Sequence, residues 1–159
     1  MYLWKVDSLV EDFKSGNVSQ KEEFKYMLFF SIAMVFASEP ALHIGRSYNH
    51  YDTILSVITL CISIIGVHYC YKINSRGDNK DFLVRVICIG LPVAIRLLAV
   101  MFPVLIVAGI LEFFIFYPES LTEENLKNNP MRVALISAIV AAYYWYLSKK
   151  IKAVASNNG

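Results

Sequence analysis

From Thr53 to Tyr71 the chain runs nineteen residues without an aspartate, glutamate, lysine or arginine, bounded by Asp52 and Lys72. As an α-helix such a run is about 28 Å long, close to the thickness of a bilayer's hydrocarbon core. It is one of several such runs. A soluble domain of 159 residues has too much surface for its volume to hide them all. Apolar residues make up 57% of the chain and charged residues 18%, against roughly 25% charged in an ordinary soluble domain. Lipid is therefore the expected solvent, and the expected fold is all-α: an integral membrane four-helix bundle.

The spans are placed by their flanks. Ser19 with Glu22 three residues on has the spacing of a capping box. It starts a helix that enters the first span, about 24–44, apolar from Tyr26 to Ala37 and continuing past Glu39 and Pro40. The second span is 53–71. Asp78, with Asp81 three residues later, is placed to cap the next helix. The segment 82–117 is 36 residues long, about 54 Å as a helix. That is too long for one crossing and too poor in polar turns for two. The economical division falls at Gly90–Pro92. Residues 82–89 then form an interfacial or half-buried helix, and 91–116 a tilted third span. The fourth span, about 131–147, ends in Tyr143, Tyr144, Trp145 and Tyr146, followed by Lys149, Lys150 and Lys152. Aromatic rings followed by lysines are how a span anchors at a cytoplasmic face.

Orientation follows from the cations. Lys5, Lys14, Lys21, Lys25, Lys72, Arg76, Lys80, Arg85, Lys149, Lys150 and Lys152 fall on one side, and Arg46, Lys127 and Arg132 on the other. The asymmetry puts both termini in the cytoplasm. Residues 1–18 form a unit of their own before the transmembrane domain of 19–159. Leu3, Val6, Val10 and Phe13 recur at helical spacing and Gly16 and Asn17 close the pattern. Such an amphipathic helix lies on the membrane surface or folds against the cytoplasmic end of the bundle. Short loops and the mixed charge of Met1–Lys25, which has no apolar signal-peptide core, point to a multi-pass protein of the cell membrane.

Few residues are candidates for chemistry. On the second span Ser56, Thr59, Ser63, Gly66 and Cys70 recur at steps of three and four. They form either a close-packing seam or a polar wall facing water. Ala134, Ala138 and Ala142 repeat every four residues on the fourth span and form a helix-contact face, for a bundle neighbour or a second subunit. Arg85, Pro92, Arg96 and Pro103 share a helix face, and each proline removes a backbone hydrogen bond. Arg96 is placed to reach lipid phosphates or a substrate. Glu39 and Glu112 stand towards the outer ends of their spans, as interfacial ion pairs with Arg46, His43 or Arg132, or as a proton or cation relay. Glu39, His43, His50 and Asp52 have the donor types of a zinc site without its spacing. The three cysteines, Cys61, Cys70 and Cys88, form no CxxC pair. Arg76-Gly77-Asp78 and Asn17-Val18-Ser19 match adhesion and glycosylation tripeptides on the wrong side of the membrane.

No phosphate loop, nucleophile elbow or metalloprotease motif is present, so no cofactor is expected. A net charge of +2 gives no reason to expect nucleic acid. Small multidrug exporters are similar in size and span number, but they carry a carboxylate deep in the first span, where this chain has Glu39 near the far end. The expected partners are the lipid bilayer and either a second copy or another membrane protein. The expected function is that of a non-enzymatic accessory or interaction subunit. The alternative is an oligomeric channel or small transporter, in which Ser63→Leu abolishes flux and leaves folding intact.

Overall fold

A computed structural model of the chain describes residues 4–37, 50–116 and 130–156, with backbone alone at 36–37, 111–116 and 130. Five helices form among these residues and no strand: α1 (Val6–Lys14), α2 (Gln20–Ala37), α3 (His50–Arg76), α4 (Phe82–Phe116) and α5 (Pro130–Ala155). Three stretches are long and apolar enough to cross a membrane: His50–Arg76, Phe82–Ile110 and Met131–Ala155. The expected first span runs on beyond Ala37, outside the described residues.

The helix ends follow local rules. At α1 the chain turns through Gly16 at φ +68°, a left-handed conformation that costs glycine little. Ser19 caps α2, its Oγ accepting the Glu22 N–H at 3.3 Å, as the capping box anticipated. Asp78 does not cap α4 in the expected way. Its carboxylate is held by Arg85, and α4 begins from Asp81, whose carbonyl accepts the Arg85 N–H.

The predicted interruption at Gly90–Pro92 is absent, and α4 is one continuous helix through Pro92 and Pro103. Pro92 deprives only the Cys88 carbonyl of its N–H partner. Around it Cys88, Ile89, Leu91 and Val93 are all buried, and the Tyr143 hydroxyl sits where a side chain on Gly90 would go. Packing on this scale outweighs the loss of one backbone bond.

α5 is the hub. It runs parallel to α3 and touches it at three depths. Arg132 lies 3.9 Å from Asp52 at one end. Midway, a Cβ on Gly66 would overlap the Tyr144 ring, and at the other end one on Gly77 would overlap Ala155. α4 and α1 also pack on α5, and α2 packs on α4. Nearly all the core lies at the end where α1, the α3–α4 turn and the close of α5 come together. Val6, Leu9 and Val10 of α1 meet Cys88, Ile89 and Val93 of α4, Leu147, Ile151 and Val154 of α5, and the buried Tyr26 of α2. The apolar face of α1 is thus covered by protein, which stabilises its docking by roughly 1.5–3 kcal/mol per fully buried aliphatic side chain.

Candidate functional site

Two polar clusters occupy this packed end. The deeper one sits at the α3–α4 turn. Arg85, 4% exposed, reaches back one helical turn past the start of α4. It donates to both Asp78 carboxylate oxygens, at 2.5 and 2.6 Å, and to Asn74 Oδ1 at 2.9 Å. Asn74 donates in turn to the Lys80 carbonyl at 3.2 Å, and the Asp78 N–H donates to the Ala155 carbonyl at 3.2 Å. The Arg85 hydrogen bonds hold the Asp78 carboxyl below the usual carboxylate value, against the opposing effect of burial. A buried ion pair of this kind holds geometry. It ties the turn to α4 and to the end of α5.

The second cluster surrounds Arg96. The helix face shared by Arg85, Pro92, Arg96 and Pro103 leaves the core gradually: the first two are buried, Arg96 is half-buried and Pro103 is exposed. Arg96 meets Asp7 of α1 at 3.9 Å, the Tyr146 hydroxyl at 3.4 Å and the face of Trp4 at 5.9 Å. Lys150 of α5 pairs with the same Asp7, and these hydrogen-bonding and charge contacts lower the Asp7 carboxyl's pKa, the Lys150 bond first. Arg96 therefore joins α1, α4 and α5, a role that sequence spacing did not reveal. Asp7 and Lys150 are 143 residues apart, and only the docking of α1 brings them together. Arg85 and Asp78 were legible in principle, as opposite charges seven residues apart across a turn.

The other candidates fall as follows. Glu39, His43 and Arg46 lie outside the described residues, and so does the side chain of Glu112. His50 and Asp52 stand in the first turn of α3, and Asp52 faces Arg132, which sequence depth had offered to Glu39 or Glu112. Along the α3 seam Ser56 is exposed, Thr59 and Ser63 are half-buried, and Gly66 and Cys70 are buried. Ser56 donates to the Asp52 carbonyl and Thr59 to the Leu55 carbonyl, each at 2.8 Å. These hydroxyls are used within their own helix. On α5, Ala134 and Ala138 are exposed and Ala142 is half-buried. Ser137 beside them has a buried hydroxyl with no hydrogen-bond partner among the described residues.

Among the described residues no three metal-ligating side chains converge. No protein-family model, curated protein or solved structure matches this chain.

Proposed function

We propose that the chain is a non-enzymatic subunit of a larger membrane assembly. It is read as a four-span protein of the cell membrane with both termini in the cytoplasm. It acts through contact with another membrane protein or a second copy of itself. The carrying observation is the outer half of α4. Ala99, Phe102, Pro103, Ile106, Gly109 and Ile110 are exposed, and among the described residues nothing lies within 4 Å of the position a Gly109 side chain would take. Pro103 has no N–H to give the Ala99 carbonyl. A polar backbone group left bare in lipid costs several kcal/mol, and proline in a span is tolerated where protein covers it. Small residues beside the proline let a neighbouring backbone come close.

Two further features support the topology. The cations of α3 and α4, and those of α5 other than Arg132, lie towards the end where α1 folds back. From Met27 to Val35 α2 is apolar except for Ser31, whose hydroxyl bonds the Met27 carbonyl, and seven of the nine side chains are large, apolar and exposed, as expected of a helix continuing into lipid. The use of the Ser56 and Thr59 hydroxyls on their own carbonyls favours a subunit over a channel wall.

The test is oxygen accessibility of a spin label in native membranes. With Cys61 replaced by serine, a label at Ile106→Cys is expected to be shielded relative to one at Leu60→Cys. Equal accessibility at both positions contradicts the assignment.

A further inference from the structure

The α3–α5 pair carries two adjoining hollows of different chemistry, read here as the two halves of one groove. On α3 it is floored by Ile62, Ile65, Gly66 and Tyr69, followed by Lys72, Ile73 and Arg76. These are steps of three and four on one helix face. The apolar half, a hollow of about 270 Å³, is completed by Ala141, Tyr144, Trp145 and Ser148 of α5. The polar half, about 390 Å³, is completed by Lys152, Ala155 and Ser156. Tyr69 lines both.

Charge singles out the occupant. Lys72, Arg76 and Lys152 line the polar half with no carboxylate among its residues. None of the three makes an ion pair among the described residues. The nearest acidic residue in sequence, Asp78, is taken by Arg85. Three cations with no ion-pair partner among the described residues, at one end of an apolar trough, match an anion that carries a hydrocarbon tail. Length agrees: Ile62 to Arg76 spans about 21 Å of helix, and one bilayer leaflet with its headgroups is about 20–22 Å deep. The exposed Trp145, with the Lys149 ammonium 3.4 Å from its ring centroid, stands midway along the trough, beside the path of a hydrocarbon chain.

The geometry points to a bound anionic phospholipid. Its phosphate is held by Lys72, Arg76 and Lys152, and one acyl chain lies over Gly66 between Tyr69 and Trp145. Gly66 makes the trough, because its missing side chain lets the Tyr144 ring seat against α3. Gly77 does the same for the headgroup end by letting α3 close on Ala155.

Native mass spectrometry of the full chain, with phosphatidylglycerol and phosphatidylcholine of equal chain length as probes, tests this. Phosphatidylglycerol is expected to be retained at least about tenfold better. The triple variant Lys72→Gln, Arg76→Gln, Lys152→Gln is expected to reduce it to the phosphatidylcholine level. A control that removes equal charge elsewhere, Lys5→Gln, Lys14→Gln, Lys21→Gln, is expected to keep the preference. All six side chains are exposed, so both variants should fold. An unchanged preference in the triple variant overturns the site, as does an equal loss in the control. Competition by headgroup glycerophosphoglycerol as effective as by the whole lipid shows a free-phosphodiester site and overturns the lipid assignment. A second readout leaves the cations intact. In a Trp4→Phe background, phosphatidylglycerol with brominated chains is expected to quench Trp145 more than brominated phosphatidylcholine does. Ala141→Phe, which fills the trough, is expected to remove that difference. Equal quenching by the two lipids in the Trp4→Phe protein contradicts the proposal.

Discussion

At the scale of single residues, a few side chains fix the arrangement. Asp78 makes the fold sensitive to acid. A carboxyl whose folded pKa is lowered contributes stability above its unfolded value, here near 3.8, and loses that contribution as pH falls through the folded value. Thermal stability is therefore expected to drop as the pH is taken below about 4. Asp78→Asn is expected to cost about 3 kcal/mol at neutral pH, because it leaves Arg85 buried without its anion, and to flatten the acid dependence. A melting series from pH 7 to pH 3 checks both, and a variant that melts like the wild type at pH 7 contradicts the role. Gly66 works by absence. Alanine is the better helix former by roughly 1 kcal/mol, but its methyl group would overlap the root of the Tyr144 ring. Overpacking of that kind costs about 1–3 kcal/mol, so Gly66→Ala is expected to lower the midpoint of unfolding. Ser137→Ala is expected to leave it unchanged or raise it, since the buried hydroxyl it removes has no partner among the described residues.

At the scale of elements, α1 shows what patterning reveals and where it stops. Its apolar residues recur at helical spacing, so the helix and its end at Gly16 were legible. Which surface the stripe would cover was not, because lipid and protein reward the same stripe. The structure places Val6, Leu9 and Val10 against α4 and α5. Leu9→Ala is then expected to cost about 2–5 kcal/mol of docking energy. Hydrogen exchange should speed up across Asp7–Phe13 while α3 stays protected, and unchanged exchange in α1 contradicts this packing. In α4 the sequence misled in one respect. Gly90 and Pro92 together read as a break, and only the neighbours on α5 show why the helix continues. Tyr143 is 53 positions from Gly90, a contact beyond any local rule. The seam on α3 was legible as a line of small and hydroxyl-bearing residues. That Gly66 and Gly77 both close on α5 depends on α3 and α5 running parallel, and neither helix alone specifies that. Of the polar candidates, Arg96 was visible as a cation in an apolar run, but its partners Trp4, Asp7 and Tyr146 come from α1, the residues just before it, and α5.

At the scale of the whole molecule, packing is lopsided. One end holds α1, the Arg85–Asp78 pair, the Arg96 cluster and nearly all the buried residues. Towards the other end α3 and α5 stay together, while the C-terminal half of α4 stands with its small and proline-bearing side uncovered by any described residue. On the proposed reading, that side of α4 receives a neighbour. The central claim is that the neighbour is protein. The most direct test is the mass of the assembly in native nanodiscs excised from the source membrane and corrected for lipid. More than one polypeptide per disc is predicted, either a second 18.1 kDa copy or a different protein, in contact with α4 near Ile106. A single copy of this chain alone with lipid contradicts the account.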